Sequence, residues 1–198
     1  MTVERGIPPA IILVAPQLAE NIGTAARAML NCGLTDLRLV NPRDPFPSER
    51  ANAASVGALD IMPPVRIFET TEAAVADLQI VYATTARERK MVKPILTPRA
   101  VGERAVAAGR TGRKVGILFG KERTGLEKDD IALAEAVITV PLNPEFTSLN
   151  LAQAVLLLGY EWYQAGDNTP PRVLETHGAA PATKEELYAF FADRKSVV

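Results

Sequence analysis

The amino-acid sequence predicts an α/β protein, a mostly parallel sheet with helices on both faces. Short runs of Val, Ile, Leu and Ala alternate with helical stretches along the chain. Such near-continuous apolar runs are typical of strands that are buried on both faces, as in parallel sheets. Hydrophobic residues make up 47% of the 198 residues and charged residues 23%. This composition and length suit one domain with a short appendage.

Six strands are predicted, each a short apolar run that ends near a proline, a glycine or a polar residue. They cover Ala10–Val14, Leu37–Val40, Val65–Phe68, Ile80–Ala83, Val115–Phe119 and Val137–Val140. The last run continues as far as Leu142, where an Asn-Pro turn follows.

Six helices are predicted between and after these strands. They cover Glu20–Asn31, Ser48–Ala58, Glu72–Leu78, Pro98–Ala108, Glu127–Ala134 and Leu149–Gln164. In the first helix, Ile22, Ala26 and Met29 mark an apolar face at helical spacing. Thr147 or Ser148 is expected to cap the last helix, because Ser and Thr are preferred at that position.

A change of composition marks the end of the main domain. Residues 166–182 are rich in Pro and Gly and are expected to form a linker after a core domain of residues 1–165. Residues 183–198 are expected to begin a helical C-terminal extension, with an amphipathic helix at Thr183–Asp193. The apolar side chains of this helix need a partner surface, because a single helix cannot bury itself.

The composition also limits the function. The net charge is −1, so a nucleic-acid contact is expected to be local or shared between subunits. The single cysteine, Cys32, and the single histidine, His177, argue against a disulfide, a Cys/His metal site and a catalytic histidine. The sequence shows no apolar run of membrane-spanning length and no secretory leader, so a cytoplasmic location is expected.

Three common motifs are missing. No Gly-x-Gly-x-x-Gly follows the first strand, which disfavours a dinucleotide-binding protein. Gly120-Lys121 resembles the end of a P-loop, but Glu122 stands where Ser or Thr is required. The Gly-x-Ser-x-Gly turn of α/β hydrolases is absent from the sequence as well.

Four segments follow predicted strands: Asn21–Arg27, Thr84–Ala86, Gly120–Gly125 and Asn143–Ser148. In open parallel sheets, ligands bind outside the carboxyl ends of the strands. If the preceding strands are neighbours, the four segments surround one cleft.

Three of these segments carry motifs of a known family. Asn-x-Gly-x-x-x-Arg-Ala begins at Asn21, and Phe-Gly-x-Glu-x-x-Gly-Leu begins at Phe119. A Val-Pro pair at Val140 is followed by Ser-Leu-Asn, which ends at Asn150. In order and spacing, residues 8–165 resemble the SPOUT superfamily and, within it, the TrmH-like tRNA/rRNA 2′-O-ribose methyltransferases, with the TrmJ type most similar.

The resemblance implies a SPOUT fold with a C-terminal trefoil knot, although chains in general avoid knots. It also implies S-adenosylmethionine as the methyl donor, no metal, and a homodimer whose sites lie near the interface. The implied reaction is methylation of a ribose 2′-OH of tRNA, at a cytidine or uridine in the anticodon loop.

The same resemblance implies the site residues. The donor pocket is expected to contain Thr84, Thr85, Ala86, Gly120, Val140, Thr147, Ser148 and Leu149. The expected catalytic residues are Arg27, Asn21, Glu122, Ser148 and Asn150. RNA is expected to contact Arg27, Arg87, Arg89 and Lys90, and a second basic run is formed by Arg110, Arg113 and Lys114.

Arg27 is expected to hold an RNA phosphate bidentately and so to orient the ribose. Gly23, one turn earlier, is expected to leave room for a ligand. A guanidinium does not normally lose its proton, so a phosphate oxygen activated by Arg27 is an alternative proton acceptor. A solvated surface arginine is the other interpretation. Glu122 can instead cap the following helix or pair with Lys121 or Arg123.

Three other functions compete. They are an RNA-binding protein of the same fold without turnover, an rRNA 2′-O-methyltransferase, and a small-molecule enzyme with a nucleotide cofactor. The intact catalytic set disfavours the first, and the missing glycine motif disfavours the last.

Overall fold

The computed structural model describes residues 5–85, 93–167 and 180–195. Within them, seven strands form one sheet in the order β3-β2-β1-β6-β4-β7-β5. The strands are β1 Ala10–Val14, β2 Leu37–Val40, β3 Arg66–Phe68, β4 Ile80–Thr84, β5 Ile95–Leu96, β6 Val115–Phe119 and β7 Ala136–Ile138. All neighbouring pairs are parallel, which confirms the predicted α/β class.

Helices cover both faces of the sheet. They are α1 Ala19–Asn31, α2 Glu49–Ser55, α3 Ala58–Ile61, α4 Thr71–Val75, α5 Pro98–Arg110, α6 Lys128–Ala132 and α7 Leu151–Ala165. A further helix, α8 Lys184–Lys195, belongs to a separate compact unit. Side chains of α1, α5 and α7 share one buried cluster, and those of α4 and α6 share the other. In β1, Ile11 and Leu13 belong to the first cluster, whereas Ile12 and Val14 belong to the second. This division explains why the whole strand is apolar.

Several predicted boundaries are wrong, each for a local reason. The predicted helix Ser48–Ala58 is broken because Val56 and Gly57 adopt φ of 51° and 84°. Strand β5 was not predicted, since it is only two residues long between Pro94 and Pro98. Strand β7 ends at Ile138, two residues before the predicted end.

The start of α7 also differs from the prediction. Asn150 is the N-cap, and its side chain accepts a hydrogen bond from the Ala152 N–H at 2.8 Å. Gln153 completes a capping box by accepting the Asn150 N–H at 2.9 Å. The expectation that Thr147 or Ser148 caps this helix is therefore wrong.

The chain divides into two compact units, residues 1–167 and 168–198. The described part of the second unit contains α8, which begins after a capping box in which Thr183 and Glu186 exchange hydrogen bonds. Inside α8 the rings of Phe190 and Phe191 lie edge to face, 5.9 Å apart. The linker, the role of this helix and the trefoil knot stay predictions.

Among the described helices, none is long and apolar enough to cross a membrane.

One buried side chain in the sheet is charged. Arg38 in β2 is only 1% exposed. Its guanidinium donates to the Asp36 carboxylate at 2.8 Å, to Asp77 and to the Ala74 carbonyl oxygen. The hydrogen bonds from Arg38 hold the pKa of the Asp77 carboxyl below its ordinary value. These charges lie at the amino ends of the strands, and their pairing is what makes the burial of Arg38 tolerable.

Gly23 lies at the closest approach of α1 to α2. A Cβ at this position would collide with the Ala51 carbonyl oxygen and crowd the Ser55 nitrogen. Gly23 is buried, so the expectation that it leaves room for a ligand is wrong. The glycine allows two helices to pack backbone to backbone.

Replacing Gly23 with alanine is expected to lower the free energy of unfolding by about 1–3 kcal/mol, because the overlap with α2 outweighs the better helix propensity of alanine. Urea unfolding measures this change. Asn31→Ala on the exposed side of α1 is the control and should change stability by less than about 0.5 kcal/mol. A Gly23→Ala variant as stable as the wild type would contradict the packing argument.

Candidate active site

The four strands that precede the predicted site segments are neighbours, in the order β1-β6-β4-β7. Their carboxyl ends are tied together by β4. The Thr84 hydroxyl donates to the Leu118 carbonyl oxygen of β6 at 2.9 Å. The Thr85 N–H donates to the Ile138 carbonyl oxygen of β7 at 3.0 Å. Because all four strands are parallel, the segments that follow them emerge at one edge of the sheet.

A cleft of about 530 Å³ lies at this edge. It is lined by Gln17, Leu18, Asn21, Arg43, Glu122, Arg123, Phe146, Ser148, Leu149, Asn150 and Gln153. The lining comes from the start of α1, the loop after β6 and the segment that leads into α7. The lining includes four side-chain amides, two arginines and one carboxylate, together with the apolar Leu18, Phe146 and Leu149.

A chain of hydrogen bonds crosses the cleft. The Asn21 Nδ2 donates to Glu122 Oε1 at 2.7 Å, and the Asn150 Nδ2 donates to Asn21 Oδ1 at 3.3 Å. The backbone N–H of Gln17 donates to both carboxylate oxygens of Glu122, at 3.2 and 3.1 Å. Asn21 is thereby fixed to two segments that lie more than 100 residues further along the chain, at Glu122 and at Asn150.

The loop after β6 is closed by its glycines. A Cβ at Gly120 would collide with the backbone of Gly125 and Leu126. Gly125 has a φ of 71°, and its N–H donates to the Lys121 carbonyl oxygen at 2.8 Å. Gly120 is thus needed for the closure of the loop itself, and its contact with a methyl donor stays a prediction.

Glu122 neither caps the next helix nor pairs with Lys121. Lys121 instead pairs with Glu127 at 2.7 Å, and its hydrogen bond lowers the pKa of the Glu127 carboxyl. The Glu127 backbone N–H donates to Asp130 at the start of α6 at 2.9 Å. These pairings leave Glu122 to the hydrogen-bond chain in the cleft.

The segment between β7 and α7 has many free backbone donors. The N–H groups of Val140, Thr147, Ser148 and Leu149 donate no hydrogen bond to any described residue. An Asx turn interrupts the segment, with the Glu145 N–H donating to Asn143 Oδ1 at 3.1 Å and the Phe146 N–H to the Asn143 carbonyl oxygen at 2.9 Å. Such unpaired groups are ready to bind a polar ligand.

The structure brings part of the predicted site into the cleft. The predicted residues that line it are Asn21, Glu122, Ser148, Leu149 and Asn150. The predicted residues that do not line it are Arg27, Thr84, Thr85, Gly120, Val140 and Thr147. Ala86, Arg87, Arg89 and Lys90 lie outside the described residues. The roles assigned to all of them stay predictions.

Arg27 lies elsewhere on α1. It is exposed, and it follows Asn21 by six residues, which on an α-helix means about 9 Å along the axis and roughly 120° around it. Lys114, from the second basic run, lies at the amino end of β6, where it pairs with Asp77 at 3.4 Å. That run is therefore at the opposite edge of the sheet from the cleft.

Sequence reasoning missed six lining residues, namely Gln17, Leu18, Arg43, Arg123, Phe146 and Gln153. One of them had a usable signal, because Gln153 stands three residues after Asn150, which is the spacing of a capping box. The others come from turns whose direction a sequence pattern does not specify.

Comparisons with known proteins agree with this architecture. A profile of the SpoU rRNA Methylase family matches residues 8–160. A Klebsiella pneumoniae protein named tRNA (cytidine/uridine-2'-O-)-methyltransferase TrmJ is 38% identical over 175 residues, which are 86% of this chain and 70% of that protein. A Yersinia pestis protein of the same name is 40% identical over 151 residues, which are 76% of this chain and 58% of that protein.

A solved structure described as TrmJ from Z. mobilis ZM4 is 51% identical and superimposes with a TM-score of 0.75, over 96% of this chain and 79% of that one. The fold and the cleft define an α/β protein with an open cleft over the carboxyl ends of a parallel sheet. The chain belongs to the SpoU rRNA Methylase family, and within it to the TrmJ type. The resemblance seen in the sequence motifs is thus confirmed.

Asn150 has two roles that substitution can separate. Asn150→Ala is expected to lower the free energy of unfolding by about 1 kcal/mol, because α7 loses its N-cap. Asn150→Ser keeps a capping oxygen, so its stability should stay close to that of the wild type, although its short side chain no longer reaches Asn21. Urea unfolding of both variants checks this. Equal destabilisation by serine and alanine would mean that the link to Asn21, rather than the cap, stabilises the fold.

Proposed function

We propose that this protein transfers a methyl group from S-adenosylmethionine to the ribose 2′-OH of a cytidine or uridine in the anticodon loop of tRNA. The observation that carries the proposal is the hydrogen-bonded set Asn21, Glu122 and Asn150, held in a cleft at the carboxyl ends of a parallel sheet. The names of the similar proteins from Klebsiella pneumoniae and Yersinia pestis support tRNA as the substrate.

The segment after β7 fits a methyl donor of this kind. Its adenine, ribose and amino-acid groups all need hydrogen-bonding partners, and the amides of Val140, Thr147, Ser148 and Leu149 have none among the described residues. Thr84 and Thr85 hold the adjoining strand ends in place. When bound, the donor supplies an activated methyl group on its sulfonium.

The chain's own part in the reaction is positioning, which can be worth several kcal/mol. The 2′-oxygen gains the methyl group and gives up its proton, while the sulfonium becomes a neutral thioether. The amide groups of Asn21 and Asn150 hold one another and Glu122 in fixed orientations. Ser148, which also lines the cleft, offers a hydroxyl to the ribose. The proton passes to a phosphate oxygen that Arg27 orients, because the guanidinium itself stays protonated.

A homodimer is part of the proposal. The exposed side of α7 carries Leu156, Leu157 and Tyr160, which are 43%, 36% and 53% exposed. These residues recur at helical spacing, so they form one apolar stripe, which a second copy of the chain would cover. Arg27 lies outside the cleft lining of its own chain, which agrees with sites near an interface. The cytoplasmic location also stays a prediction.

The test is transfer of labelled methyl from S-adenosylmethionine to total tRNA and total rRNA, followed by nucleoside mapping. The proposal predicts label in 2′-O-methylcytidine or 2′-O-methyluridine of tRNA. Label in rRNA alone would favour the second candidate, an rRNA methyltransferase, which the name of the SpoU rRNA Methylase family supports. Donor binding without label in either RNA would favour an RNA-binding protein without turnover.

Arg27→Lys is expected to keep donor binding but to reduce turnover about tenfold or more, because lysine cannot hold a phosphate bidentately. Calorimetry with S-adenosylhomocysteine measures donor binding, and labelled-methyl transfer measures turnover. The exposed Arg99, replaced with lysine, is the matched control. Normal methylation by Arg27→Lys would exclude the role assigned to this residue.

A further inference from the structure

One aromatic side chain in the cleft is left in water. Phe146 is 73% exposed, although it sits in a turn whose position is fixed by two hydrogen bonds to Asn143. A single exposed apolar residue is common on protein surfaces and has no meaning by itself. The position of Phe146 gives its exposure a meaning, because its side chain lines the cleft.

The cleft also presents an unpaired cation. Arg123 is exposed and has neither an ion pair nor a hydrogen bond with any described residue. The neighbouring carboxylate of Glu122 is engaged by Asn21 and the Gln17 N–H. The other arginine of the cleft, Arg43, pairs with Asp44 at 3.3 Å. Arg123 is therefore the arginine of the cleft lining whose guanidinium is available to a ligand.

We infer that Phe146 and Arg123 form a subsite for an unstacked RNA nucleotide, in which the base stacks on the Phe146 ring and a phosphate binds the Arg123 guanidinium. Exposed aromatic rings and free guanidinium groups are the features by which proteins hold single-stranded RNA. An arginine binds a phosphate with two parallel hydrogen bonds. The subsite rests on the proposed function, and it assigns the recognition of the target nucleotide to two residues that the motifs did not indicate.

The adenine of the methyl donor could also stack on a phenyl ring. The donor's α-carboxylate also suits a guanidinium, but the free backbone amides of Val140, Thr147, Ser148 and Leu149 already offer hydrogen-bond partners to the donor's polar groups. The inference therefore assigns the subsite to RNA, and donor binding is measured separately to distinguish the two sources of a stacking base. A second copy of the chain is a further possible occupant of an exposed ring, and the oligomeric state reports on it.

The experiment measures binding of unmodified tRNA at several salt concentrations in the presence of S-adenosylhomocysteine, without turnover. Phe146→Ala should weaken tRNA binding about tenfold, since stacking is lost, and Phe146→Tyr should restore it. Arg123→Ala should weaken binding and reduce the salt dependence by roughly one phosphate contact. The affinity for S-adenosylhomocysteine and the oligomeric state should not change.

Two matched controls lie away from the cleft. Ile61→Ala removes a side chain that is 74% exposed, and Arg99→Ala removes an exposed guanidinium. Both should bind tRNA as the wild type does. Circular dichroism of each variant checks the fold.

The inference would be overturned if Phe146→Ala bound tRNA as tightly as the wild-type protein does. It would also be overturned if Phe146→Ala and Phe146→Tyr lost the same affinity for tRNA. A parallel loss of S-adenosylhomocysteine affinity would assign the ring to the donor, and dissociation into monomers would assign it to an interface. The failure of the subsite and the failure of the proposed function give different results. If the wild type methylates tRNA and Phe146→Ala binds tRNA as tightly as the wild type, the subsite alone is refuted. If Phe146→Ala binds tRNA more weakly but the wild type does not methylate tRNA, the proposed function alone is refuted.

Discussion

The order of the four central strands is the constraint on which the rest of the structure depends. Strands β1, β6, β4 and β7 lie side by side and run in one direction. Their carboxyl ends meet at one edge, where Thr84 and Thr85 tie β4 to both of its neighbours. The segments that follow these strands have no other common origin in the fold. A different order would scatter Asn21, Glu122 and Asn150 over separate parts of the surface.

Fold and site also depend on each other at the start of α7. Asn150 accepts the Ala152 N–H as N-cap and uses its remaining amide donor to hold Asn21. The Asn21 side chain in turn donates a hydrogen bond to Glu122, and the Gln17 backbone N–H donates to the same carboxylate. An amide can do this because it carries both a donor and an acceptor. The position of the helix is thereby coupled to the orientation of the side chains in the cleft, which positional catalysis requires.

Much of the fold could be predicted from the sequence, because buried parallel strands are short apolar runs and helices have their own period. The order of the strands could not, since periodicity says nothing about which strands are neighbours. Strand β5 escaped prediction because two residues are too few to form a pattern, and hydrogen bonds from Val137 and Thr139 of the β7 region define it instead. The burial of Arg38 depends on Asp36 and Asp77, and only the folded chain brings Asp77 close.

Part of the site could likewise be predicted from the sequence, and part could not. Motif positions correctly gathered Asn21, Glu122, Ser148 and Asn150 in one cleft. The sequence predicts that Gly23 leaves room for a ligand, but the close packing of α1 against α2 accounts for this glycine. Phe146 and Arg123 owe their place in the cleft to turn geometry, which no residue pattern revealed.

The central claim is that the free backbone amides after β7 bind the methyl donor. Titration of ¹⁵N-labelled protein with S-adenosylhomocysteine, followed by NMR, tests it most directly. The account predicts that the largest amide shifts fall on Val140 and on Thr147, Ser148 and Leu149, with smaller shifts in the loop after β6. Shifts centred on Arg38, Arg66 and Lys114 at the opposite edge of the sheet, or no saturable shifts at all, would contradict it.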